Sequence, residues 1–109
     1  MYRLIPSKKF IKQIKRYSKK FHSLADDLEE LYNLLSNNPK SGVSKGNNIY
    51  KIRLKNSDLK KGKSAGYRVI TYVIDENEKI YLLTLYSKNE IENISDQEID
   101  DLIEEAKKI

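Results

Sequence analysis

The sequence has no cysteine, a single histidine, only two prolines and four glycines, and no apolar run long enough to cross a bilayer. Without cysteine there are no disulfides, no thiolate metal sites and no cysteine nucleophile. His22 has no second histidine with which to share a metal. It also falls at a predicted helix end, remote in sequence from the other polar candidates, and reads as a bystander. A spanning helix needs about 20 apolar residues. Nothing here approaches that length, and Pro6 and Lys8-Lys9 break the opening Tyr2-Arg3-Leu4-Ile5 before a signal-peptide core can form. No internal repeat or low-complexity linker is visible. These absences predict a cytoplasmic protein that uses no metal or other cofactor.

What is present is charge, unevenly laid out. With 109 residues the chain is one domain, 1–109, and folding at this size buries roughly 60–70% of the unfolded surface. Residues 1–20 carry eight basic side chains and no acidic one, and residues 51–70 carry seven against the single Asp58. Residues 91–109 reverse the sign, with seven acidic side chains against Lys107 and Lys108. A pI of about 9.3 with clustered lysine and arginine is the footprint of a polyanion binder, and nucleic acid is the commonest polyanion in the cytosol. The plainer reading, a lysine-rich solvated surface, stands beside it on charge alone.

Periodicity gives the elements. Residues 2–5 form a short opening strand that Pro6 ends. From Ser7 to Phe21, Phe10, Ile14, Tyr17 and Phe21 recur at helical spacing, with lysines and Arg16 around the rest. Ser23, followed by Asp26, starts a second helix whose stripe is Leu24, Leu28, Leu31 and Leu35 and which Asn37-Asn38-Pro39 stops. The short join predicts an antiparallel helical hairpin. Ile49 to Leu54 then alternates, with Tyr50, Ile52 and Leu54 on one face and Lys51 and Arg53 on the other. Residues 55–65 read as a basic loop. Tyr67 to Ile74 and Lys79 to Tyr86 form a strand hairpin turned by Asp75-Glu76-Asn77-Glu78. Ser95-Asp96-Gln97-Glu98 is a capping box opening a last helix, with Ile99, Leu102, Ile103 and Ala106 inward. Its acidic side is a solvated face or, as a second reading, packs on the basic first helix. The fold class is α+β: a small antiparallel sheet with the helical hairpin packed on one face and a C-terminal helix, the helices covering that one face and leaving the other partly open. Lys51 and Arg53 point to that open face.

Three stretches carry a family resemblance: Tyr50-Lys51-Ile52-Arg53-Leu54, then Lys60-Lys61-Gly62-Lys63-Ser64-Ala65-Gly66-Tyr67-Arg68-Val69-Ile70, then Tyr81-Leu82-Leu83-Thr84-Leu85-Tyr86-Ser87-Lys88. Together they resemble the RelE/ParE toxin superfamily, most of all its RelE and HigB-like members. There Lys-Ile-Arg, a basic glycine-containing loop, Gly-Tyr-Arg and Tyr-Ser-Lys occur in this order. The flanking helices agree, so the resemblance covers nearly the whole chain. It implies the toxin of a type II toxin–antitoxin pair, which enters the ribosomal A site and cuts messenger RNA without a metal. It also implies a partner antitoxin that wraps the toxin and blocks it.

Elementary chemistry agrees with that implication. Cleaving RNA through its own 2′-hydroxyl needs a base near that hydroxyl, an acid near the leaving 5′-oxygen and positive charge around the phosphorane. Lysine, arginine and tyrosine suffice for this without histidine. A lysine becomes a base when neighbouring cations depress its pKa, as Arg53 would do for Lys51. By the resemblance, Lys51 and Arg53 act on the phosphate and the 2′-hydroxyl, and Arg68 contacts phosphate. Lys88 is the general-acid candidate. Tyr86 shares the parity of Lys88 and stacks on a base or moves a proton, unless it is a core tyrosine. For Lys51 and Arg53 the alternative is an ordinary solvent-facing strand edge; for Arg68 it is an ion pair with Glu76 or Glu78. Lys55, Lys60, Lys61 and Lys63 fit contact with ribosomal RNA, where each phosphate adds salt-dependent affinity. They equally fit a solvated loop.

One position departs from the family pattern. RelE proteins carry a tyrosine in the C-terminal segment as the proposed base, and Ile94 stands there in this chain. The identity of the base is therefore open. Two other functions remain alongside the nuclease: a ParE-like inhibitor of DNA gyrase that cuts no RNA, and a non-catalytic homologue that only binds RNA or an acidic partner.

Overall fold

The computed structural model describes residues 1–59, 65–91 and 93–108. In chain order the elements are β1 (Arg3–Pro6), α1 (Lys8–Ser18), α2 (Leu24–Asn37), β2 (Val43–Ser44), β3 (Ile49–Leu54), β4 (Tyr67–Ile74), β5 (Lys79–Ser87) and α3 (Asp96–Ala106). The strands form one sheet in the order β1-β5-β4-β3-β2. The sheet is mixed rather than wholly antiparallel, because β1 runs parallel to β5 while the other pairs are antiparallel. Hairpins force antiparallel pairing only between neighbours in sequence, and β1 meets β5 from the far end of the chain. The edge strand β2 was not expected from so short a segment. It exists because Gly42 (φ +98°) turns the chain back onto β3 at a distance where a Cβ would meet the Lys51 carbonyl at 2.4 Å.

On one face of the sheet, Phe10, Tyr17, Phe21, Leu24, Leu28, Leu31 and Leu35 of the helical pair bury against Ile52, Leu54, Tyr67, Val69, Leu82 and Leu85. These are the two stripes and the strand parity expected from periodicity, with Ile14 and Tyr50 packed at the margin. On the second face, α3 lays Ile99, Leu102 and Ala106 over Ile49, Ile70, Tyr81, Leu83 and Tyr86. The helices thus cover both faces and not one as expected, and the second is open only along part of β3 and β4. The near-continuous apolar run of β4 is the physical reason, since a strand covered on one side alone would alternate.

Helix starts follow side-chain chemistry with one exception. The Ser7 hydroxyl accepts from the Phe10 N–H at 3.0 Å, and that of Ser95 accepts from the Glu98 N–H at 3.1 Å. Ser23 occupies the N-cap of α2 without a side-chain cap bond; its N–H donates instead to the Asp58 carboxylate at 3.0 Å. Buried Asp27 accepts from the Ser57 N–H at 2.9 Å, so the segment leaving β3 is tied to α2. The Glu98 side chain pairs with Lys9 and links the start of α3 to α1, whereas Asp96, Asp100, Asp101, Glu104 and Glu105 are exposed, so the acidic side of α3 is a solvated face.

A cationic cleft as candidate active site

The site begins with strand parity. Ile52 and Leu54 are buried against the helical pair, so Lys51 and Arg53 stand on the opposite face of β3. The β3–β4 register sets Arg53 directly opposite Arg68, and the β4–β5 register sets Arg68 opposite Tyr86. Two arginines side by side in a sheet repel and destabilise it. Such an arrangement is expected where a binding requirement outweighs stability. Glu76 and Glu78 lie beyond the far end of the β4–β5 ladder, past the Ile74–Lys79 pair. At strand spacing that is about 20 Å from Arg68, which rules out the ion pair considered above.

A bulge in β5 aims the last contributors. The register slips between Ile70 and Thr71, whose partners are Thr84 and Leu82, leaving Leu83 as the extra residue. Before the bulge Tyr81 and Leu83 face α3; after it Leu85 faces the helical pair and Tyr86 faces the α3 side. The bulge reverses parity and so turns Tyr86 toward the row of Arg53 and Arg68. The N-cap of α1 and a residue within the helix bond polar atoms of the bulged stretch of β5. The Ser7 hydroxyl donates to the Leu83 carbonyl at 2.7 Å, and the Gln13 side-chain oxygen accepts from the Thr84 hydroxyl at 3.0 Å and the Leu85 N–H at 2.9 Å. Just beyond, the Ser87 N–H donates to the Tyr17 hydroxyl at 3.0 Å, and Arg16 pairs with Glu90 at 3.0 Å. The Lys88 N–H donates to the Gly66 carbonyl at 3.0 Å, so Lys88 leaves the strand from a fixed backbone. Gly66 has no room for a side chain, since a Cβ there would lie 2.3 Å from the Leu54 carbonyl.

These elements enclose a cleft of about 510 Å³ lined by Gly42, Val43, Lys51, Arg53, Arg68 and Lys88. Four of the five residues expected to carry chemistry therefore line one concavity. Arg53 is exposed, Lys51 and Lys88 are half-buried, and Arg68 is only 4% exposed. The Lys51 amine donates to the Asn93 side-chain oxygen at 3.3 Å, and an Arg68 guanidinium nitrogen donates to the Tyr67 carbonyl at 3.2 Å. Burial first, and then the charges of Lys45, Lys88, Arg68 and Arg53, push the Lys51 pKa below its ordinary value. Burial and Arg53 likewise lower that of Arg68, against a smaller opposing contribution from Tyr86. A guanidinium nevertheless stays charged.

Tyr86 is the fifth candidate, and it is fully buried in the cluster that contains Ile94 and Leu102. Its ring presents no face on which a base could stack. Burial raises its phenol pKa, with Arg68 pulling the other way, so the hydroxyl keeps its proton at neutral pH. Ile94 is also buried there and serves packing. Lys55 leans away from the cleft toward Glu30 of α2, at 3.9 Å. Lys60, Lys61 and Lys63 lie outside the described residues. His22, at the start of the second helical segment, does not line the cleft. Sequence reasoning missed Gln13 and Asn93. Gln13 was legible as a polar residue on the buried stripe, three after Phe10 and four before Tyr17; Asn93 sits in an irregular linker that carries no periodic signal.

No helix among the described residues is long and apolar enough to cross a membrane. The family model of the RelE toxin of the RelE/RelB toxin–antitoxin system matches residues 7–109. Among solved structures, the chain is similar to a doubly substituted mutant of the E. coli toxin RelE in the free state, at 19% identity and TM-score 0.59, over 98% of this chain and 95% of that one. It is similar to the intact E. coli RelBE toxin–antitoxin complex at 20% identity and TM-score 0.61, over 80% and 96%. The isolated E. coli RelE toxin matches at 17% identity and TM-score 0.60, over 95% and 98%. At these identities the structural likeness establishes a shared fold. The family match over almost the entire length goes further: the chain belongs to the RelE toxin family of the RelE/RelB toxin–antitoxin system.

Proposed function

We propose that this toxin is a ribosome-dependent endoribonuclease that cuts messenger RNA in the cytoplasm and is neutralised by a cognate antitoxin. The observation that carries the reading is the convergence of Lys51, Arg53, Arg68 and Lys88 on one cleft. A cluster of like charges costs stability, and a dianionic phosphorane is the kind of species that recovers the cost. In the reaction, the 2′-oxygen of the RNA attacks the adjacent phosphorus while Lys51, in its neutral form, takes the hydroxyl proton. Arg68 and Arg53 hold the equatorial oxygens as negative charge builds. The P–O5′ bond breaks, the leaving oxygen takes a proton from the Lys88 ammonium, and the products are a 2′,3′-cyclic phosphate and a 5′-hydroxyl. The cationic side chains supply the electrostatic stabilisation, so the scheme calls for no metal. Tyr86 supports Arg68 from the neighbouring strand rather than contacting RNA.

Lys55, Lys60, Lys61 and Lys63 would contact ribosomal RNA, giving an affinity that falls steeply with salt. One of the structural relatives is a toxin–antitoxin complex, and an antitoxin covering the cleft with carboxylates would neutralise this toxin in the same sense. Induction in cells with mapping of messenger RNA ends on translating ribosomes tests the reading. Growth arrest with codon-phased cuts that vanish in Lys51→Ala and Arg53→Ala is the expected result. Arrest with DNA damage and intact messages would instead mean gyrase inhibition, and no arrest from soluble protein would mean a non-catalytic homologue.

A further inference from the structure

Beyond Lys88, the linker between β5 and α3 brings the Asn93 side chain against the Lys51 amine. Asn93 precedes Ile94, whose burial beneath α3 anchors the backbone at this point. The Asn93 side-chain oxygen accepts from the Ile94 N–H at 3.0 Å and from the Lys51 amine at 3.3 Å. The first bond fixes where the oxygen lies, and the second fixes the direction from which it meets the amine. We propose that Asn93 is a positioning residue for Lys51, holding one amine N–H so that the nitrogen lone pair faces the cleft.

The proposal rests on the nuclease reading above and deepens it by naming what orients the base. The chemistry selects an amide. Among the described residues, the charges that act on Lys51 are those of Lys45 after β2, Lys88 after β5, Arg68 on β4 and Arg53 on its own strand, each favouring the neutral amine. A carboxylate in place of Asn93 would accept the same bond but would hold the amine protonated and useless as a base. An amide oxygen directs the amine without adding charge. The position beside Ile94 thus has a function even though its neighbour is not the family's tyrosine: the apolar residue anchors, and the asparagine presents.

Asn93→Asp is nearly isosteric and keeps an oxygen for the Ile94 N–H, so it separates charge from shape. With purified toxin and programmed ribosomes, the single-turnover cleavage rate of the wild type should rise with pH along a limb set by Lys51. In N93D that limb should move to higher pH, with the rate at pH 7 reduced roughly tenfold. In N93A the rate should fall at all pH values without an alkaline displacement of the limb. Titration of the Lys51 side chain in the free, isotopically labelled protein gives a readout independent of cleavage, and there N93D should titrate at higher pH than the wild type. An active wild type whose limb and Lys51 titration are both unmoved in N93D overturns the role of Asn93 while leaving the nuclease intact. A wild type that cuts nothing on ribosomes overturns the nuclease reading, and this proposal with it.

Discussion

The two faces of the sheet solve different problems. Against the helical pair, Phe10, Tyr17, Leu31, Tyr67, Val69 and Leu82 are each 1% exposed or less, and the Leu83 carbonyl, the Thr84 hydroxyl and the Leu85 N–H at the bulge are bonded to Ser7 and Gln13. The opposite face is divided: α3 covers one part with Ile99, Leu102 and Ala106, and the remainder gathers Lys51, Arg53, Arg68 and Lys88. Apolar burial is worth about 25 cal/mol per Å², so the first face supplies stability. Like charges set side by side draw on it. The difference teaches that the chain spends its core on one side to hold an electrostatically unfavourable arrangement on the other.

Substitutions that act on one face alone sharpen this contrast. The largest effect on stability is expected from Phe10→Ala, which empties a fully buried position and should cost about 3–5 kcal/mol in urea unfolding. Arg68→Gln should do the reverse. Cleavage should fall about 10²–10³-fold, while stability stays within about 1 kcal/mol of the wild type. Equal losses of stability from both variants would break the division of labour. Gln13→Ala crosses between the faces. It leaves the Thr84 hydroxyl and the Leu85 N–H without their acceptor, should cost about 1–3 kcal/mol, and should also slow cleavage because the bulge aims β5. A Gln13→Ala protein with normal activity per folded molecule would show that the bulge holds itself.

The smallest effect concerns Lys51 and pH. Its folded pKa lies below that of the unfolded chain, so the unfolded state binds more protons in the interval between the two values. Stability should therefore rise as pH climbs through the folded pKa toward the ordinary lysine value. Below that interval the penalty is fully present, and Lys51→Gln should recover a few tenths of a kcal/mol at neutral pH, the cleft being open enough for solvent to screen the charges. Urea unfolding of both proteins at neutral and alkaline pH checks the sign. A Lys51→Gln protein less stable than the wild type at pH 7 would contradict it.

Much of this was legible because it depends on periodicity. The stripes of α1 and α2, the β4–β5 hairpin and the outward parity of Lys51 and Arg53 follow from spacing, and spacing survives translation into structure. Both capping serines, at positions 7 and 95, sit directly before a periodic stripe, although only Ser95 stands out in the sequence as part of a capping box. What spacing cannot carry is a change of phase. The bulge at Leu83 inserts one residue into β5 and reverses the parity of everything after it, and the residues that hold it, Ser7 and Gln13, lie more than 70 positions away. The parallel pairing of β1, the edge strand β2 and the placing of α3 on the second face are likewise long-range results. Tyr86 shows the same limit: the bulge sets its side, and its complete burial stood in the sequence only as the alternative to contact with RNA.

The central claim is that the four cations act on one phosphate as a unit, and single-turnover cleavage of ribosome-bound message by Lys51→Ala, Arg68→Ala and the double variant tests it most directly. Groups that share a transition state lose nearly everything when either is removed, so the double variant should be little slower than the slower single one. Losses that simply multiply, or single variants that cut at the wild-type rate, would contradict a shared cleft chemistry.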